Sequence, residues 1–351
     1  MDDRAIVLSV IIPVYNAEKT LENTVKSILV QKGISYEIIL VNDGSSDKSA
    51  ELCDSLMQQH DNIKVLHQEN KGSLWARLNG TKKAMGQHVM YVDADDYIYE
   101  GAFEHFANDL IDGADLYIYD YDMEKIGGQS TKTIKAMPLD TTTTFVGEEK
   151  KSVISVFMDG WINTVCATIF KKELISEEPF VNIGKKLTNG EDRLQKMFSL
   201  IKAQKINYVP YSFYHYCWNA GSQGENLRKG IFSEQLYMQF KETWSIERKY
   251  YSELGFSENE CLNYDLKKLN RICATLETSY NDKGLSDIEF RRIVGILAHE
   301  QFFNELAHTV VNRARRHLKI SVKYILKNQW RGLKRYWSFC NIIRRLKYGR
   351  R

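Results

Sequence analysis

What this chain lacks narrows its reading before any motif is sought. Its six cysteines, Cys53, Cys166, Cys217, Cys261, Cys273 and Cys340, are scattered, and no CxxC pair occurs. That spacing argues against a zinc motif or a disulfide framework and fits free thiols in a reducing compartment. The acidic opening MDDR lacks a signal peptide's basic start and cleavage site. No run suits a bilayer span, which takes about 20 mostly apolar residues. The least charged stretch, SVISVFMDGWINTVCATIF at 152–170, carries Asp159, Gly160 and Asn163 and reads as interior structure. Internal repeats and low-complexity segments are missing too. With 43% apolar and 26% charged residues, the composition is that of an ordinary globular protein.

One further absence is local. Residues 306–351 hold 14 of the 48 Lys and Arg residues and no Asp or Glu, which leaves 34 basic against 45 acidic residues in the remainder. An acidic body therefore carries a basic tail. The tail interleaves its charges with Trp330, Tyr336, Trp337, Phe339, Ile342 and Ile343. A basic amphipathic helix at an anionic membrane surface fits this pattern. The alternative is a set of helices packed on the preceding domain with a solvated basic face. The acidic body argues against a nucleic-acid partner.

The first 100 residues alternate strand and helix. AIVLSVIIPVY is a nearly continuous β-branched run, as in a strand covered on both faces. Asn16 offers a helix cap ahead of Leu21, Val25, Ile28 and Leu29. YEIILVND is a second strand, and the serines of GSSDKSAELCDSLMQQ open a second helix. IKVLHQ, SLWARLNGTKKAM and HVMYVD continue as strand, helix and strand. This order predicts a mainly parallel sheet flanked by helices, with ligands outside the carboxyl ends of the strands. Residues 101–225 are mixed, with ADLYIYDYDM and INYVPYSFYHYCW strand-like. Beyond residue 225 the pattern turns helical, which places a domain boundary there and divides the chain into 1–225 and 226–351.

Two strands end in acidic turns, VNDGS at 41–45 and VDADD at 92–96. Asp93, Asp95 and Asp96 aim like charge at one point, and a hard divalent cation makes such clustering favourable. A solvated acidic turn is the plainer alternative. The first strand is followed by PVYNAEKT rather than GxGxxG, and no Walker sequence occurs. The phosphates of any bound nucleotide must be neutralised by other means, and a cation on Asp95, helped by Asp93, would serve.

Taken in order, LSVIIPVYNAEKTL, EIILVNDGSSDKS, QENKGSLWARLNG and YVDADD resemble the family-2 glycosyltransferases, inverting GT-A-fold enzymes that use nucleotide-diphosphate sugars. The resemblance is specific over residues 8–100 and weaker to about 225. It implies a GT-A (Rossmann-like α/β) catalytic domain followed by an α-helical C-terminal region. It implies nucleotide contacts from Pro13, Val14 and Tyr15, and from Asp43 to the base, a residue that a turn-capping role also explains. Asn70, Gly72 and Arg77 resemble the next nucleotide-contacting stretch, with Arg77 on a phosphate or on a wet helix face. Asp93-Ala94-Asp95 matches the DxD motif, with Asp93 on the donor and Asp95 on Mn²⁺ or Mg²⁺. Asp96 is the candidate to face the acceptor sugar, and Trp161 falls where relatives build the acceptor site.

The ED pair of TNGEDRLQKMFSL, Glu191-Asp192, matches the family's catalytic acids. Asp192 is the implied base that takes the acceptor hydroxyl's proton, and Glu191 positions it or the donor. Helix capping by acidic residues is the plainer reading. His215 is a candidate further metal ligand, or a packed ring among aromatics. The implied function is transfer of a sugar, from a UDP donor, onto a saccharide or lipid-linked saccharide in cell-surface polysaccharide synthesis. The implied location is cytoplasmic, peripheral on the inner face of the membrane. Two rivals stand beside it: a catalytically silent module that binds sugar nucleotide or glycan, and a sugar-phosphate nucleotidyltransferase. The second would carry a glycine- and basic-rich loop where PVYNAEK stands.

Overall fold

A computed structural model describes residues 6–124, 130–160, 162–181, 190–217, 232–282 and 285–348. It divides into two compact units, Met1–Ala220 and Gly221–Arg351.

The first unit is built on one ten-stranded sheet. Its elements run β1 (Leu8–Val14), α1 (Leu21–Leu29), β2 (Tyr36–Asp43), α2 (Ser49–Gln59), β3 (Ile63–Gln68), α3 (Ser73–Lys83), β4 (His88–Tyr91), β5 (Tyr97–Ile98) and α4 (Ala102–Asp109). They continue as β6 (Leu116–Glu124), β7 (Thr131–Ile134), β8 (Thr143–Val146), α5 (Lys150–Met158), β9 (Thr168–Lys171), α6 (Glu178–Val181), α7 (Glu191–Lys202) and β10 (Lys205–Tyr216). The strand order is β3-β2-β1-β4-β9-β6-β10-β5, with β7 on β6 and β8 on β10. β1 is parallel to both β2 and β4, in the register Leu8↔Tyr36 and Leu8↔His88. Every apolar side chain of β1 except Pro13 is buried, because helices cover both faces of a parallel sheet.

Three expectations need correction. β9 lies antiparallel between β4 and β6, inside the stretch read only as interior structure. Its four residues are too few for a period-two signal. The first helix begins at Leu21, without a side-chain cap, rather than at Asn16. Asn16 takes a positive φ of 52° and turns its carboxamide to the second loop instead. The serines of that loop likewise do not cap α2, whose N-cap is Lys48.

Gly80 sets how closely α3 sits on the sheet. A Cβ there would lie 2.5 Å from Ile11 Cγ2 and 3.1 Å from Val41 Cγ2. Lacking one, α3 settles onto β1 and β2 and carries Arg77 to the strand ends.

The second unit is helical throughout its described residues: Glu234–Lys249, Glu258–Asp282, Asp287–His299, Gln301–Val310, Arg316–Leu326 and Trp330–Tyr348. Ser286 caps the third of these in a reciprocal capping box with Glu289. Its core gathers Leu269, Leu276, Phe290, Phe303, Leu306, Ile325 and Trp337. The basic tail thus supplies core residues, and Trp337 is fully buried with its indole N–H donated to Ser321 Oγ at 2.9 Å.

Candidate active site

The loops after β1 and β2 are stitched together. Asn16 Oδ1 accepts from the Ser46 amide (2.8 Å), Ser45 Oγ from the Asn16 amide (3.1 Å), and Ser49 Oγ from the Ala17 amide (2.8 Å). This leaves Val14 buried, Pro13 half-buried and Tyr15 exposed. Asp43 departs from the expectation of a side chain open to a base. It is buried, and its oxygens accept from Gln68 Nε2 (2.7 Å), the Lys71 amide (2.7 Å) and the Gly72 amide (2.8 Å). The carboxylate fixes the loop that delivers Gly72, the N-cap of α3, and exposed Asn70. Gly44 permits the close approach, since a Cβ there would stand 2.8 Å from the Asn70 amide nitrogen.

Arg77 does not lie on a wet helix face; it is only 3% exposed. Nη2 donates to Asp93 Oδ1 at 3.0 Å, and Nη1 donates to Asp192 Oδ1. One guanidinium therefore joins the DxD turn to the start of α7, where Asp192 stands 115 positions after Arg77. Both carboxylates keep an open side, Asp93 at 32% and Asp192 at 29% exposure. Ser73, in the first turn of α3, donates to Glu191 Oε1 at 3.1 Å. A single helix thus positions both acids of the ED pair.

The electrostatics follow from crowding. Burial and the adjacent Asp192 push Glu191 up to about 7. Burial also raises Asp192 above the ordinary carboxylate value, with Arg77 pulling it back. Lys196, one turn further along α7, is buried against Thr164 O (2.8 Å) and Thr168 Oγ1 (2.6 Å), and burial lowers it to about 7.

Asp96 is turned inward at the DxD turn. It is buried, with Oδ2 accepting from Tyr214 OH (2.5 Å) and Oδ1 from the Cys217 amide (2.8 Å). Burial and the neighbouring Asp93 and Asp95 push it up to about 9. Ala94 is buried too, its carbonyl bonded by Thr24 Oγ1 at 3.0 Å. Asp95 is half-buried at the same turn. His215 lies on β10, stacked on Tyr97 and grouped with Glu124 and Cys217; Asp95 is not a member of that group. Trp161 lies outside the described residues.

Sequence reasoning missed Ser73, Lys196 and Tyr214. Ser73 sits inside the quoted KGSLWAR stretch, and Lys196 is four residues after Asp192 on one helix face. Tyr214 carried no local signal.

A mostly parallel sheet with acidic turns at its strand ends, an antiparallel insertion and an ED helix paired to the DxD turn define a GT-A glycosyltransferase domain. The chain belongs to glycosyl transferase family 2, whose model matches residues 9–177. The glycosyltransferase GlyG of Streptococcus pneumoniae is 31% identical over 226 residues, 61% of this chain and 72% of that protein. The minor teichoic acid biosynthesis protein GgaB of Bacillus subtilis is 27% identical over 298 residues, 80% of this chain but only 31% of that protein. Among solved structures, S. aureus TarS 1-349 in complex with UDP-GlcNAc superposes with a TM-score of 0.67 at 18% identity, covering 95% of this chain and 91% of that one.

Proposed function

We propose that this glycosyltransferase inverts the anomeric centre as it moves a sugar from a UDP donor to a saccharide or lipid-linked saccharide of a bacterial surface polysaccharide. The observation that carries the reading is the Arg77 bridge, which sets the donor-side Asp93 beside the base candidate Asp192. In such a transfer the acceptor oxygen forms a bond to the anomeric carbon while the bond to the diphosphate breaks. The acceptor's proton passes to Asp192, whose open side is the acceptor side in this reading, and the nucleotide diphosphate leaves. Arg77 favours the charged form of Asp192 against the effect of burial and holds it in place. A second reading of the base rests on Glu191, whose value near 7 suits proton transfer at neutral pH.

With Asp93 paired to Arg77, a divalent cation falls to Asp95, whose oxygen donors suit Mn²⁺ or Mg²⁺. When bound, the ion would supply charge neutralisation to the diphosphate. Pro13, Val14, Tyr15 and the Asn70–Gly72 loop shape the nucleotide side. The UDP-GlcNAc bound by TarS supports the donor class, and the teichoic acid named for GgaB supports the polysaccharide acceptor.

The location in this reading is the inner face of the cell membrane. Among the described residues no helix is long and apolar enough to cross a bilayer. The helix Arg316–Leu326 turns Arg316, Lys319 and Lys323 to solvent, and Trp330–Tyr348 turns out Arg331, Arg335, Phe339 (61% exposed) and Ile342 (57% exposed). Cations followed by apolar side chains on one stripe suit an anionic headgroup layer.

Release of UDP from a panel of sugar nucleotides, with and without Mn²⁺ and with chelator, tests the reading. Activity on one UDP-sugar that chelator abolishes is the expected result. UDP binding without turnover of any donor would favour the silent module.

A further inference from the structure

The ends of β6 and β10 bring together three side chains that no spacing in the sequence relates. Glu124 closes β6, His215 lies in β10, and Cys217 follows that strand directly. One ligand atom from each lies within 4.8 Å of the other two. His215 is only 4% exposed and is held from behind.

The hydrogen-bond chain behind the ring fixes its tautomer. Tyr99 OH lies 2.9 Å from Asp122 Oδ2, and a carboxylate only accepts, so the phenolic proton points to Asp122. Tyr99 then accepts from His215 Nδ1–H at 2.7 Å. The Nε2 lone pair is left facing Glu124 Oε1 at 3.2 Å. Lone pair against carboxylate is repulsive unless positive charge enters between them. A second ring proton would serve, and so would a metal ion, but only the metal also uses the Cys217 sulfur. Two ligand atoms each about 2.0–2.1 Å from a tetrahedral zinc ion stand about 3.4 Å apart, close to the separation seen. The carboxylate–tyrosine–histidine relay has the form of the outer-shell partners that orient metal-binding imidazoles.

We propose that Glu124, His215 and Cys217 form a seat for a thiophilic divalent cation of the Zn²⁺ class, distinct from the oxygen-ligand cation read at Asp95. The donor set of one nitrogen, one oxygen and one sulfur suits zinc and leaves a fourth position for water. As the metal binds, the Cys217 S–H bond breaks, its proton goes to solvent and an S–metal bond forms, with no change of oxidation state. The ion ties the ends of β6 and β10 together beside the Asp96 carboxylate, which already accepts from the Cys217 amide.

The test uses the full-length protein without nucleotide, with Co²⁺ as the spectroscopic probe and Zn²⁺ as competitor. A sulfur-to-cobalt charge-transfer band should appear at one equivalent, disappear on Zn²⁺ addition and be missing from Cys217→Ser. His215→Gln should weaken binding further, and Tyr99→Phe should weaken it about 10–100-fold by removing the outer-shell partner. Zn²⁺, but not Mg²⁺, should raise the melting temperature of the native protein and not that of Cys217→Ser. Asp95→Asn should keep the band. No band, or a band that survives Cys217→Ser, overturns the seat. Loss of the band in Asp95→Asn overturns its separateness. Neither outcome bears on whether sugar transfer needs Mn²⁺, which the UDP-release assay decides independently.

Discussion

Like charge is crowded in two regions of this molecule, and the two resolve it in opposite ways. At the head of α7, Asp93, Glu191 and Asp192 converge on a single buried guanidinium. On the tail helices, Lys319, Lys323, Arg331 and Arg335 stand in solvent, and among the described residues none of them pairs with a carboxylate. Inside, desolvation forces every charge to find a partner within the fold. Outside, water and salt satisfy each cation alone, so the cluster persists until an anionic surface replaces them. Buried crowding therefore points to chemistry within the domain, and exposed crowding to a partner beyond it.

The sharpest way to break the comparison is at the base. Asp192→Asn keeps shape and the Arg77 contact but cannot take a proton, so transfer should fall about 10²–10⁴-fold. UDP affinity measured by calorimetry should hardly move. A native rate in this variant would pass the role to Glu191, and Glu191→Gln would then show the large loss.

Next in size is the bridge. Arg77→Met leaves carboxylates gathered with no cation, and breaking such a pair costs about 3 kcal/mol, toward the low end because both acids are partly solvated. Urea denaturation reads it directly. Arg77→Lys keeps the charge but not the two-pronged geometry, and should recover stability more than turnover.

The pH dependence is smaller. Glu191 is raised from 4.5 to about 7 in the folded state, so the folded protein holds this proton more tightly than the unfolded chain. Stability tied to this group is therefore present below about 4.5 and is lost as pH rises through about 7. Native protein should become more stable on going from pH 8 to pH 5, and Glu191→Gln should flatten that slope. An unchanged slope removes Glu191 as its source.

The tail should show the smallest effect per residue. Each cation near an anionic bilayer contributes on the order of 1 kcal/mol. The protein should sediment with anionic and not neutral vesicles, and high salt should release it. Replacing Lys319, Lys323, Arg331 and Arg335 with Gln is the clean test. Deleting the tail would also remove Ile325 and Trp337 from the helical core. Binding that ignores both lipid charge and these four substitutions returns the tail to plain packing.

Local pattern carried much of this protein. The strands β1–β4 and the helices between them announced themselves through β-branched runs and helical spacing, because their burial is dictated by neighbours close in sequence. The acidic turns and the ED pair were legible for the same reason: short motifs keep their residues adjacent. Which of those acids stays open was not legible. Asp43 and Asp96 read as well as Asp93 and Asp192, yet the fold buries the first two against donors from distant segments and leaves the second two a wet side. Arg77 gave no local sign that it would meet a carboxylate 115 positions away. Glu124 lay too far from His215 and Cys217 for any spacing rule to join them. Sequence alone determined the elements, the acidic strand ends and the charge asymmetry, since these depend on residues within a few turns of one another. Tertiary structure alone decided partners, exposure and the proton affinities that follow, because those depend on what the rest of the chain places within a few ångströms of each charge.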